Sequence, residues 1–158
     1  MTSASVITVI NGPNLAALGS REPGVYGTAT QDDLKASLEE RGRALGLKVD
    51  FFQSDVEGEI VSAVNRASGG SAALVINPAG YSHYSVAIMD AMRAFPGPVA
   101  EVHISQVHSR ETLRQNLVTA RGADVFLAGA GIAGYLHALD ILHEMITETD
   151  GGNTLAHQ

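Results

Sequence analysis

The sequence predicts a single-domain α/β fold of the flavodoxin-like kind, a doubly wound five-stranded parallel sheet with helices on both faces. Three observations predict it. Short apolar, β-branched runs alternate along the chain with longer stretches whose apolar residues recur every three or four positions. That alternation builds right-handed βαβ units, whose sheet is parallel and covered on both sides. The runs end at clusters rich in Gly, Pro or Asn, as a strand does where it meets a loop. Finally, 158 residues, 45% of them hydrophobic, suit one domain with its own core.

Each element follows in order. Val6 to Ile10 is the first strand, stopped by Asn11-Gly12-Pro13-Asn14. A Gly- and Pro-rich loop then runs to about Thr28. Thr30 can cap a helix whose first turn holds Asp32 and Asp33 and whose apolar positions are Leu34, Leu38 and Leu45. Gly46 ends that helix, and Leu47 to Phe52 is the second strand. Glu57 to Ala67 is a helix with Ile60, Val61 and Val64 on one face, broken by Gly69-Gly70. Ala72 to Ile76 is the third strand, ending at Asn77-Pro78-Ala79-Gly80. Ser85 to Phe95 is a helix, closed by Pro96-Gly97-Pro98. Val99 to His103 is the fourth strand, followed by a loop and a short helical piece from Arg110. Asp124 to Ala128 is the fifth strand and Ile132 to Ile146 the last helix. The domain is thus placed at residues 1–148, with a frayed polar tail over 149–158.

Composition removes several function classes. Net charge is −7, which disfavours nucleic acid or anionic lipid as partner but permits an anionic small molecule in a local basic pocket. There is no cysteine, so a disulfide framework, a thiolate zinc site and a cysteine nucleophile are excluded. No apolar stretch reaches about 18 residues, the length a membrane-spanning helix needs. The opening M-T-S-A-S-V-I-T-V-I-N lacks the basic region of a signal peptide, and the chain is read as cytoplasmic.

In doubly wound sheets ligands bind beyond the carboxyl ends of the strands. Those ends carry Asn14, Arg21 and Tyr26 after the first strand, then Asn77, Ser82 and His83 after the third. Glu101 and His103 lie on the fourth strand, with Ser105, His108, Arg110 and Arg114 behind them. After the fifth, G-A-G-I-A-G-Y at 129–135 fits G-x-G-x-x-G, but that fingerprint belongs to a first βα unit. Glycines that permit tight helix-on-strand packing are the better reading. His103 and His108 lack further ligands at metal-binding spacing, so no metal is expected. No G-x-S-x-G elbow is present, and Ser85 reads as a helix cap. His137, His143 and His157 read as surface histidines. Residues 18 to 27, L-G-S-R-E-P-G-V-Y-G, leave two readings open. Tyr26 could pack on the surface while Arg21 pairs with Glu22. Alternatively, a guanidinium beside the phenol could favour a tyrosinate base on a closing loop.

The motifs N-G-P-N-L at 11–15, G-S-R-E-P-x-V-Y-G at 19–27 and Q-S-D-x-E-G at 53–58 resemble the type II 3-dehydroquinate dehydratases. So do I-N-P-A-G-x-S-H-x-S-V-A at 76–87, E-V-H-I-S at 101–105, H-x-R-E-x-x-R at 108–114 and G-x-G-x-x-G-Y at 129–135. The match spans about residues 6 to 146. The resemblance implies dehydration of 3-dehydroquinate to 3-dehydroshikimate through an enolate, with no cofactor and no metal. It implies Tyr26 as the base that takes the C2 proton, with Arg21 stabilising negative charge and Asn14 holding a water on the enolate oxygen. It implies His103 as the acid for the C1 hydroxyl, oriented by Glu101, and Arg110 beside the tyrosine when the loop closes. Asn77, His83 and Arg114 would bind ring hydroxyls, and the backbone N–H groups of Ile104 and Ser105 the carboxylate. Asp90 would reach the site of a neighbouring subunit in a homo-oligomer, a dodecamer built from trimers.

The chain departs from the family pattern at Ala16, Ala17, Tyr84, Met89, Gln106 and the segment Gln115-Asn116-Leu117-Val118. Tyr84 and Gln106 motivate an alternative, a paralogue dehydrating a related compound such as an amino analogue of dehydroquinate. A non-catalytic ligand-binding module is the reading from a different class.

Overall fold

The computed structural model describes residues 3–151. Five strands, β1 (Val6–Asn11), β2 (Lys48–Gln53), β3 (Ala73–Asn77), β4 (Val99–His103) and β5 (Val125–Ala128), form one sheet in the order β2-β1-β3-β4-β5. Every pairing is parallel. The expected doubly wound order is the observed one.

Residues of β1 and β3 part to opposite faces because side chains alternate along a strand. Ile7, Val9, Ala73 and Val75 pack with Leu34 and Leu38 of α2 (Gln31–Ala44) and with Tyr135, Leu139 and Leu142 of α5 (Ala133–Asp150). Ile10, Leu74 and Ile76 pack instead with Ile60 and Val64 of α3 (Glu57–Ala67) and with Ile88 and Met92 of α4 (Val86–Ala94). These strands read as unbroken apolar runs because both faces are covered. Each fully buried leucine or isoleucine stabilises the fold by about 1.5–3 kcal/mol relative to an exposed one.

Local chemistry sets the helix starts. Thr30 accepts from the Asp33 N–H while Asp33 accepts from the Thr30 N–H, a capping box that opens α2. Ser85 accepts from the Ile88 N–H at 3.1 Å and caps α4, as expected. Boundaries elsewhere shift by a residue or two. Asn77 belongs to β3, and α5 continues to Asp150, past Ile146 and into the first residues of the expected polar tail. Residues 152–158, with His157, lie outside the described residues.

Two stretches hold more structure than the sequence suggested. The Gly/Pro-rich loop contains a single helical turn, α1 (Pro23–Tyr26), because Pro23 occupies the first helical position where no N–H is needed. Between β4 and β5 there are three 3₁₀ turns, Val107–Ser109, Thr112–Gln115 and Thr119–Gly122, rather than one piece from Arg110.

The sheet order reverses between β1 and β3, and there the two strands' connections diverge to open a crevice. Gly12 lets the loops after these strands meet. A Cβ at Gly12 would lie 2.6 Å from the Pro78 carbonyl oxygen. Its N–H donates to the Asn77 carbonyl at 2.8 Å. Gly134 plays the packing part expected of it: a Cβ there would sit 3.3 Å from Val102 on β4.

Candidate active site

A cavity opens at the carboxyl ends of β1, β3 and β4. Asn14, Arg21, Tyr26, Asn77, His83, His103, Ile104, Ser105, Arg110 and Arg114 all line it. Of the residues singled out from the sequence, Glu101 lies buried behind His103, and Asp90 is exposed on α4 away from the lining. The lining contains three arginines and no carboxylate. Such a set suits an anion that also carries hydroxyl groups, and offers no hard oxygen cage for a metal cation.

The floor is built from β1 and β3. Asn77, 3% exposed, has its Oδ1 taken by the Ala79 N–H at 3.0 Å. Its Nδ2 donates to Tyr135 Oη at 2.8 Å, and that hydroxyl donates to Asn11 Oδ1 at 2.7 Å. Tyr135 is fully buried, and burial pushes its phenol well above the usual range, so it stays a neutral donor. The amide of Asn77 is therefore locked, with one Nδ2 hydrogen left over. Asn14 sits at φ 67°, a left-handed conformation that asparagine tolerates better than most residues. Its N–H is tied to Asp55 Oδ1 at 2.9 Å, and Gln53 Nε2 donates to the same oxygen at 3.1 Å.

One wall is β4. The Nε2 of His103 lies 2.7 Å from Glu101 Oε1, and the same oxygen accepts from Thr119 Oγ1 at 3.0 Å. All three residues are buried. Since Nε2 is engaged by the carboxylate, Nδ1 is the ring nitrogen left for other work. The ring packs at 5.5 Å between centroids against Phe126.

The second wall carries His83. Its Nδ1 lies 2.9 Å from the Asn116 carbonyl, and Asn116 Nδ2 donates back to the His83 carbonyl at 3.1 Å. A carbonyl only accepts, so Nδ1 carries the hydrogen and the neutral ring keeps Nε2 as an acceptor. Burial, more than any other influence, holds the His83 imidazole below its ordinary acidity range. Arg114 pairs with Glu111 one turn earlier, an exposed contact that an anionic ligand could replace.

The loop after β1 supplies another side of the cavity through Arg21 and Tyr26. The Arg21 guanidinium lies 5.5 Å from the centroid of the Tyr26 ring and forms no ion pair with Glu22 among the described residues. Arg110 Nη1 donates to Tyr26 Oη at 3.0 Å and to Ser105 Oγ at 3.3 Å. Gln115 fixes the loop that carries Arg110, its Nε2 donating to the Arg110 carbonyl at 2.7 Å and to the His108 carbonyl at 3.0 Å. One arginine, Arg110, thus donates to the phenol oxygen and a second, Arg21, lies over the ring, in a cavity that the buried His103 also lines. The arrangement places a potential base and a potential acid in one small cavity.

Sequence reasoning missed Tyr135, Asn116, Gln115 and Thr119 as supports of the site. A tyrosine on the otherwise apolar face of α5 was the one available signal, because a buried phenol needs a partner. Tyr84 is 60% exposed and lies outside the cavity lining. Gln106 accepts from the His108 N–H at 3.2 Å and lines an adjoining cleft that shares Tyr26, Ile104, Ser105 and Arg110 with the cavity.

Comparison with known proteins gives the family. The family model for dehydroquinase class II matches residues 5–143. The 3-dehydroquinate dehydratase of Bartonella henselae (strain ATCC 49882 / DSM 28221 / CCUG 30454 / Houston 1) is 45% identical over 137 residues, 87% of this chain and 93% of that one. The enzyme of the same name from Clostridium botulinum (strain Hall / ATCC 3502 / NCTC 13319 / Type A) is 44% identical over 143 residues, 90% of this chain and 97% of that one. The crystal structure of type II dehydroquinase from Propionibacterium acnes superposes with a TM-score of 0.87 at 43% identity, covering 91% of this chain and 99% of that one. Matched by that family model over most of its length, and 43–45% identical to these relatives, the chain belongs to the class II dehydroquinase family.

Proposed function

We propose that this protein is a 3-dehydroquinate dehydratase that removes water from 3-dehydroquinate in an anti elimination, giving 3-dehydroshikimate. The observation that carries the reading is the 3.0 Å bond from Arg110 to the Tyr26 oxygen, inside the cavity that His103 lines.

The C2 proton lies next to a ketone, so its removal needs a base and a stabilised oxyanion. Tyr26 acts as the base in its anionic form. The guanidiniums of Arg110 and Arg21 stabilise that negative charge. The C2–H electron pair moves into an enolate, whose oxygen is held by a water on Asn14. The enolate then re-forms the ketone as its C2 electron pair makes the C1=C2 bond and the C1–O bond breaks; hydroxide is a poor leaving group, so the C1 oxygen takes a proton from His103 and departs as water. Glu101 orients the imidazole and balances its charge. Asn77, His83 and Arg114 bind the ring hydroxyls, with His83 Nε2 as the acceptor. The N–H groups of Ile104 and Ser105 hold the substrate carboxylate. No cofactor enters this scheme. Asp90 completes the site of a neighbouring copy in a dodecamer of trimers.

The test is the appearance of the conjugated enone when purified protein meets 3-dehydroquinate, with Tyr26→Phe alongside. Wild type is expected to turn substrate over, and the variant to lose about 10³-fold or more in kcat, within the range that general-base catalysis supplies. An inactive wild type, or a fully active Tyr26→Phe, would sink the reading.

A further inference from the structure

We propose that Thr119 is a positioning residue for this reaction: its hydroxyl holds the Glu101 carboxylate in the one orientation that keeps His103 aimed at the leaving hydroxyl. The inference rests on the reading of His103 as the acid.

Glu101 is 0% exposed, and among the described residues its one ion-pair partner is His103. Among the described residues no lysine or arginine pairs with it. Both of its hydrogen bonds fall on Oε1, one from His103 and one from Thr119, while Oε2 is buried without a partner. A carboxylate turns easily about its last torsion, which is broad and two-fold. His103 cannot fix that torsion alone, since its Nε2 is the group that the carboxylate must hold in place while Nδ1 gives up its proton. Thr119 is the second, non-titrating donor. It identifies one carboxylate oxygen and leaves the imidazole a single place to donate.

Thr119 is itself well anchored. It is 0% exposed and opens the last 3₁₀ turn before β5, which packs against α4. The preceding N–H, that of Val118, donates to the Ser82 carbonyl at 2.8 Å, tying this turn to the segment after β3. Thr119 does not line the cavity. Its influence on substrate therefore passes through Glu101 and His103.

The experiment compares Thr119→Val, which keeps the shape and removes the hydroxyl, with Thr119→Ser, which keeps the hydroxyl. Enone formation is measured for both, beside wild type and His103→Asn. Thr119→Val is expected to lose about tenfold in kcat, the scale of one hydrogen bond to a charged group. Its KM should stay at the wild-type value, and Thr119→Ser should be close to wild type. A purely structural role would lower the melting temperature without separating kcat from KM, and the serine would not rescue it. Should the valine variant fail to fold, Thr119→Ala against Thr119→Ser makes the same comparison. Unchanged kcat in Thr119→Val, a change confined to KM, or a serine variant as slow as the valine one would overturn the inference while leaving the dehydratase reading intact. An inactive wild type would sink both, and a His103→Asn variant as fast as wild type would remove the acid that Thr119 is said to serve.

Discussion

At the scale of single residues, His83 shows how a fold selects one protonation state. Its Nδ1–H is spent on the Asn116 carbonyl, and burial disfavours the charged ring. The unfolded chain, with an ordinary imidazole near pH 6.5, therefore binds this proton at higher pH than the folded chain does. The resulting stabilisation is fully present above that pH and is lost as the pH falls through and below about 6.5. Urea unfolding of wild type and His83→Gln across pH 5 to 8 measures it. Wild type is expected to lose stability against the variant on acidification, and a gap that widened instead would contradict the assignment. The same protonation turns the Nε2 acceptor into a donor, so KM for a hydroxylated substrate should rise over the same range.

Between elements, Tyr135 is the bolt that joins α5 to β1 and β3. It reaches Asn11 across 124 positions of sequence and Asn77 across 58. Phenylalanine at 135 fills the same space and strips a donor from Asn11 and an acceptor from Asn77. Both amides are buried. Leaving buried polar groups unpaired costs about 1–3 kcal/mol each. Tyr135→Phe should therefore lower the denaturation midpoint clearly, and it should also raise KM because Asn77 is no longer held. Thermal unfolding and steady-state kinetics on one preparation check both effects. A variant with wild-type KM would mean that the Asn77 amide is fixed by Ala79 alone.

At the scale of the whole molecule, surface chemistry bears on assembly. Val56, Tyr84 and Val86 are exposed apolar side chains at or beside the N-termini of α3 and α4, and Asp90 is exposed one turn beyond Val86. The proposed dodecamer would cover surface of this kind and bring Asp90 to a neighbouring copy. Light scattering on the eluting peak is expected to give twelve chains. A monomer with full activity would contradict the role given to Asp90.

The sheet, the helices and most cavity residues were legible in the sequence, and the reason is local. Apolar periodicity reports which face of an element is buried, Thr30 and Ser85 announce helix starts, and Asn-Gly-Pro-Asn and Asn-Pro-Ala-Gly mark strand ends where ligands bind. Arg21 and Tyr26 were visible as an odd pair in a breakable loop, although spacing alone left Tyr26 with two readings. The resemblance implied Arg110 beside Tyr26, while only the tertiary structure gave that contact its geometry and decided the other partners. Arg110 meets Tyr26 across 84 positions, Asn116 clasps His83 across 33 and Thr119 meets Glu101 across 18. None of these pairs has a local signature, because a hydrogen bond across the fold depends on strand order and on which loops are brought together. Placing β1, β3 and β4 side by side brings the segments that follow them to one edge of the sheet, and that is what makes those separations short.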